Sequence, residues 1–188
     1  QFFIEVVRVL KSAFRLAGQL PPVKVDTPAA ARAGIQCFNG IGGYLTLIQA
    51  LKRAREAPIK AIDIETSCLR PYAANARILT CAISYGDVNF SFAIDHPKSG
   101  WAENQRALLL IHLKAILTDN TTKVAHNAPF EIEWFAKYFT EDVVNHDAWE
   151  CTQMQAHMLD ERRNGQGLDD LAKQHFGIAY KSTFKLDI

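Results

Sequence analysis

The sequence predicts a mixed α/β fold: one sheet whose strands alternate with covering helices. Three observations carry this expectation. Apolar residues recur at three- and four-residue steps in several separate stretches, and short β-rich runs lie between those stretches. Two of the runs, 78–85 and 88–94, meet at Gly86-Asp87, a turn that joins antiparallel neighbours.

Taken in order, residues 2–17 place Phe3, Val6, Val7, Leu10, Phe14 and Ala17 on helical steps with Arg8, Lys11 and Arg15 between them. This is an extra N-terminal amphipathic helix. Residues 19–34, with Pro21, Pro22, Pro28 and several alanines, read as a linker, so the chain divides into 1–34 and a domain over 35–188. A short strand is expected at 35–38, and a turn at Gly40, Gly42 and Gly43. A helix follows over 44–56, with Leu45, Ile48, Leu51 and Lys52 on helical steps, and Pro58 ends it. Further strands are expected at 60–65 and 123–126. Further helices are expected at 105–117, 129–138, 151–160 and 168–176. A chain that starts at Gln1 in mid-helix is expected to be a piece of something longer.

With 48% hydrophobic and 22% charged residues over 188 positions, the chain can bury a core without disulfides or metal, and disorder is excluded. No uncharged apolar run approaches the roughly 20 residues of a membrane helix. Glu5, Arg8, Lys11 and Arg15 interrupt what could pass for a signal peptide, so a cytoplasmic location with no membrane partner is expected. Cys37, Cys68, Cys81 and Cys151 form no metal-binding pair and read as reduced thiols, mostly buried; the six histidines form no HxH or HxxxH pair. Residues 1–58 carry 8 Lys/Arg against 3 Asp/Glu, and 59–188 carry 13 against 17. The larger part is therefore no basic surface that holds nucleic acid by phosphate neutralisation alone.

Two segments carry chemistry. In Ala61-Ile62-Asp63-Ile64-Glu65-Thr66 the strand alternation puts Asp63 and Glu65 on one face and the isoleucines on the other. Two carboxylates about 7 Å apart at the end of an apolar strand are costly unless a cation joins them, and a divalent ion with oxygen ligands is the natural partner. In Val124-Ala125-His126-Asn127-Ala128-Pro129-Phe130-Glu131 an apolar strand gives way to a helix start, with Glu131 in its first turn. Asn127 can be a plain N-cap and Glu131 a complement to the helix dipole, or Glu131 can add a third carboxylate to the pair.

Asp63-Ile64-Glu65-Thr66, with Leu69 shortly after, resembles the first motif of the DEDD superfamily of 3′–5′ exonucleases. Within it, the proofreading domain of family A DNA polymerases is the most similar. His126-Asn127-Ala128-Pro129-Phe130-Glu131 resembles the second motif, and 152–172 resembles the helix–loop–helix that follows; together the similarity spans roughly residues 41–188. The resemblance implies a ribonuclease H-like sheet and two-metal phosphodiester hydrolysis with Mg²⁺ or Mn²⁺, two ions held by Asp63, Glu65 and Glu131. It implies that Thr66 and Asn127 contact the terminal nucleotide, with His126 also among the substrate-binding residues. Leu69 would wedge against the base and Phe130 pack beside the site. The implied partners are DNA with a single-stranded 3′ end and a polymerase domain C-terminal in the parent chain.

Two departures stand out. Glu131 occupies a position where the family has Asp, and the family's third motif would lie beyond Ser182-Thr183-Phe184-Lys185, where the chain stops at Ile188. Asp187 does not match it, so this stretch alone is expected to be inactive or slow. A ribonuclease D-like exoribonuclease and a non-catalytic binding module of the same fold remain alternatives. Outside the motifs, Leu69 and Phe130 read as core-packing residues, as do Met154, Met158 and Leu159. His157 reads as a hydrogen-bonded packing residue, Asp147, Glu150 and Asp160 as helix-flanking acids, Arg162-Arg163 as a surface pair, and Trp101, Trp134 and Trp149 as lying in or beside helical patterns.

Overall fold

The computed structural model describes residues 34–143, 146–161 and 166–176. The helix expected over 2–17, nearly all of the linker, Arg162-Arg163 and Asp187 lie outside them. Among the described residues six strands form one sheet: β1 (Ile35–Phe38), β2 (Ile59–Thr66), β3 (Ile78–Tyr85), β4 (Val88–Ala93), β5 (Thr122–Ala125) and β6 (Trp149–Cys151). Their spatial order is β1-β4-β3-β2-β5-β6. Only β3 runs against the others, pairing antiparallel with both β4 and β2 while the remaining pairs are parallel. The mixed sheet expected from the sequence is therefore present, with the hairpin turn at Gly86, whose φ of 52° suits glycine.

The helices are α1 (Tyr44–Glu56), α2 (Glu103–Leu117), α3 (Ala128–Phe139), α4 (Thr152–Leu159) and α5 (Leu168–Phe176). α1 stops because Ala57 takes the extended conformation required before Pro58. It buries Leu47, Ile48, Leu51 and Ala54, while Leu45 and Lys52 face solvent; the inward stripe lies one step round from the face expected. The core joins these residues to Ile62, Ile64, Ile78, Cys81 and Ile83 of the sheet, Leu109 and Leu113 of α2, and Trp134 and Phe135 of α3.

Two further expectations are corrected, and one strand went unforeseen. Met154, Met158 and Leu159 are exposed, because α4 buries only Thr152; a helical spacing marks a face without saying whether that face meets the sheet. Trp149 lies beside a helix, as expected, in the short strand β6 that leads into α4 and is too short at three residues to leave an alternation signal. Of the four free cysteines only Cys81 is buried. Among the described residues, no helix is long and apolar enough to cross a membrane.

One polar cluster sits inside the fold. Lys60 of β2 and Lys123 of β5 are register partners, both fully buried. Each pairs with the Asp119 carboxylate, at 3.3 and 2.8 Å, and the Thr121 hydroxyl completes the group. The ammonium groups and the carboxylate tie the loop after α2 to both strands, because a buried charge persists only when paired.

Candidate active site

Asp63 lies in the second half of β2, half-buried between the buried Ile62 and Ile64, opposite Ala82 of β3. Two residues on, Glu65 pairs with Thr80 and is exposed, just before a register shift between Glu65 and Thr66. The neighbouring strand β5 ends at Ala125. His126 and Asn127 then turn the chain into α3, with Pro129 in the first turn, where its missing N–H costs nothing.

That turn buries Glu131, whose residue surface is 3% exposed. Burial first, and the Asp63 charge second, push its carboxyl up to about 9, while a hydrogen bond from its own backbone amide pulls the other way. Its Oε2 has no hydrogen-bond partner among the described residues. The same environment reaches Cys81, where burial and then the Asp63 and Glu131 charges push the thiol well up.

A buried carboxylate with an orphaned oxygen, beside a second carboxylate, is a donor set that fits a hard divalent cation. Asp63 and Glu131 are the residues that could hold one. Glu65 is not drawn in with them: among the described residues no group of three His, Cys, Asp or Glu side chains is gathered closely enough to hold a metal ion. It remains two strand residues from Asp63 on the solvent side.

The other residues fall around this pair in different states. Asn127 occupies the N-cap position of α3 but adopts a left-handed conformation (φ 68°, ψ 48°) with no capping bond from its side chain. The plain N-cap reading therefore fails, and its exposed amide is left to other use. His126 Nδ1 shares a hydrogen bond with Thr152 Oγ1 at 3.0 Å, and that hydroxyl also donates to Ala125 O at 3.4 Å. Thr152, buried on α4, thus fixes the imidazole; nothing in the sequence singled it out except its place at the start of a helix. Thr66 Oγ1 donates to Cys68 O at 2.7 Å, shaping the loop that presents Leu69. Leu69 is 83% exposed, so it is no core residue. Phe130 does pack on the core, its ring 6.2 Å from that of Trp134.

The 3′–5′ exonuclease model of the DNA polymerase A type matches residues 43–187. The chain belongs to this 3′–5′ exonuclease family. As in other exonuclease domains of the DEDD type, the mixed sheet is ribonuclease H-like, and solved structures agree on the fold. Escherichia coli RNase D, an exoribonuclease involved in structured RNA processing, is 20% identical with a TM-score of 0.55, over 77% of this chain and 34% of its own. Brucella melitensis NrnC with bound Mg²⁺ is 21% identical, TM-score 0.53, over 77% of this chain and 63% of its own. The Trypanosoma brucei RNase D–GMP complex is 15% identical, TM-score 0.58, over 78% and 43%. The exonuclease chain thus spans about a third of the length of the Escherichia coli enzyme. No curated protein sequence matches it significantly.

Proposed function

We propose that this domain is the proofreading 3′–5′ exonuclease of a DNA polymerase I-like protein, releasing nucleoside 5′-monophosphates from frayed 3′ ends of DNA. The observation that carries the reading is the buried Glu131 carboxylate, one oxygen orphaned, set against Asp63 in the second half of β2. Such a pair is unfavourable for a fold and useful for a site. Two divalent ions, Mg²⁺ or Mn²⁺, would supply the Lewis acidity that activates water and offsets charge on the leaving 3′-oxygen. Asp63 and Glu131 hold the inner position, and Glu65 approaches from the solvent side. Thr66, His126 and Asn127 orient the terminal nucleotide, Leu69 meets its base, and Phe130 backs the site through Trp134. The polymerase domain lies C-terminal in the parent chain.

The test uses the complete parent protein and a 5′-labelled single-stranded DNA. Shortening from the 3′ end that requires Mg²⁺ or Mn²⁺, and that Asp63→Ala abolishes without changing thermal unfolding, is the expected result. A primer left intact overturns the reading. A second reading, a ribonuclease D-like exoribonuclease, is favoured by the fold likeness to the two RNase D structures. Discrimination against a 2′-hydroxyl is a matter of contacts to that group and pocket shape. Matched DNA and RNA oligonucleotides therefore separate the two, faster loss of RNA replacing the first reading by the second.

A further inference from the structure

The N-terminus of α3, which carries Glu131, has no side-chain cap to fix it. The helix is instead held along one face and at its far end. Glu131, Trp134, Phe135 and Tyr138 share a stripe at three- and four-residue spacing, with the two middle residues fully buried. Tyr138 closes the stripe about 10 Å from Glu131.

Its hydroxyl accepts the Ile78 amide N–H at 2.6 Å and donates to Asp95 Oδ2 at 2.9 Å. Asp95 in turn receives both Nε and an Nη of Arg106, at 2.6 and 2.9 Å, and gives its own backbone N–H to Ile78 O at 3.1 Å. Next to Tyr138, Lys137 donates to Ala76 O at 3.0 Å. The tyrosine therefore plugs the open end of the β3–β4 pair and is locked there by a bidentate, charge-assisted pair, the strong form of such contacts. Ile78 opens the strand whose Ala82 stands opposite Asp63. One end of α3 is thus referenced to the strand that flanks Asp63, and the other end delivers Glu131 to Asp63.

We propose that Tyr138, held by Asp95 and Arg106, is a positioning residue that sets the place of Glu131 relative to Asp63, and so the geometry with which the two carboxylates take a divalent cation. This rests on the proposed nuclease reading and adds to it the device that aligns the site. Replacing the hydroxyl removes the reference point but leaves the ring and the buried stripe, so the helix stays docked and its first turn drifts. Supports of metal ligands commonly carry an effect of about tenfold or more in metal affinity.

The experiment titrates Mn²⁺ into the metal-free complete protein by calorimetry, for the parent, Tyr138→Phe, Glu131→Gln and the double variant. Tyr138→Phe is expected to weaken Mn²⁺ binding about tenfold. In the Glu131→Gln background the same change should alter affinity by less than about twofold, as it must if Tyr138 acts through Glu131. On a DNA oligonucleotide, kcat should fall with affinity while KM stays within about twofold. Asp95→Asn, which keeps an acceptor for Tyr138 but discharges the Arg106 pair, should give a smaller loss in the same direction, and serves if Tyr138→Phe folds poorly. Mn²⁺ affinity unchanged in Tyr138→Phe, or lost equally with and without Glu131, overturns the positioning role and leaves the nuclease reading standing. A parent that binds no Mn²⁺ overturns the nuclease reading, and the inference with it.

Discussion

Glu131, in the first turn of α3, lies buried beside the half-buried Asp63 of β2, and burial together with that neighbouring charge pushes its carboxyl up. A fold gains nothing from such a contact. The energetic penalty is offset elsewhere, by the packing of Trp134 and Phe135 and by the Tyr138 anchor at the far end of the same helix. Unlike the Lys60–Asp119–Lys123 group, where opposite charges meet, the neighbouring charge that acts on Glu131 is that of another acid, Asp63.

Stability of the metal-free protein should depend on pH through Glu131. Its carboxyl stands at about 9 in the fold, above its ordinary value. Between those two values the folded state binds a proton that the unfolded chain has lost, so stability is highest on the acid side of the window and declines as pH rises through it. Glu131→Gln, neutral throughout, should raise the urea midpoint near about pH 9 and change it little near about pH 5. A parallel shift at both pH values would show that the effect is packing rather than charge.

The Lys60–Asp119–Lys123 group predicts an asymmetric mutational response. Asp119→Ala leaves two fully buried ammonium groups with no carboxylate, which should cost about 3–5 kcal/mol in urea unfolding. Lys60→Met should cost much less, since Lys123 still holds Asp119 at 2.8 Å and the methionine fills the same volume. Equal losses would mean that the cluster acts through packing alone.

Asn127 separates fold from chemistry in another way. Its left-handed backbone favours Asn or Gly, and its side chain caps nothing. Asn127→Gly should therefore leave stability within about 0.5 kcal/mol, whereas Asn127→Ala should lose about 1–2 kcal/mol from backbone strain. If the amide contacts the terminal nucleotide, both variants lose kcat/KM alike despite their different stabilities. Activity that tracked stability instead would remove Asn127 from the site.

Much of this architecture was legible in the residues. β1, α1, β3 and α5 start and end where turn residues and periodicity put them, because Gly86, Pro58 and the apolar alternation act locally. The juxtaposition of Glu131 with Asp63 could be read only through the order and spacing of two motifs, since nothing local tells an N-terminal acid to face inward. Where the outcome depended on the neighbour rather than the segment, the reading failed. β6 exists because β5 offers it an edge, and α4 turns Met154 and Met158 outward although their spacing suits a core face. Lys60 and the Tyr138 anchor left no sequence signal, because their partners lie far off in the chain: 59 residues for Lys60–Asp119, 60 for Tyr138–Ile78 and 43 for Tyr138–Asp95.

Leu69 offers the sharpest division between stability and activity. At 83% exposure it buries almost nothing, and Tyr72 in the same loop is 71% exposed. Scattered exposed leucines are ordinary, but this one follows Thr66, whose hydroxyl bond to Cys68 O shapes the loop beside the carboxylates. Leu69→Ala should change unfolding free energy by no more than about 0.5 kcal/mol. If the side chain meets the base of the terminal nucleotide, the lost contact is worth about 1 kcal/mol or more, and kcat/KM on a frayed 3′ end should fall about fivefold. The loss should be larger on a mismatched primer terminus than on a free single strand, because wedging matters only where the terminal base must be held away from its partner. Equal kinetics for Leu69→Ala and the parent on both substrates would leave this leucine as surface and would move the search for the base contact to Tyr72.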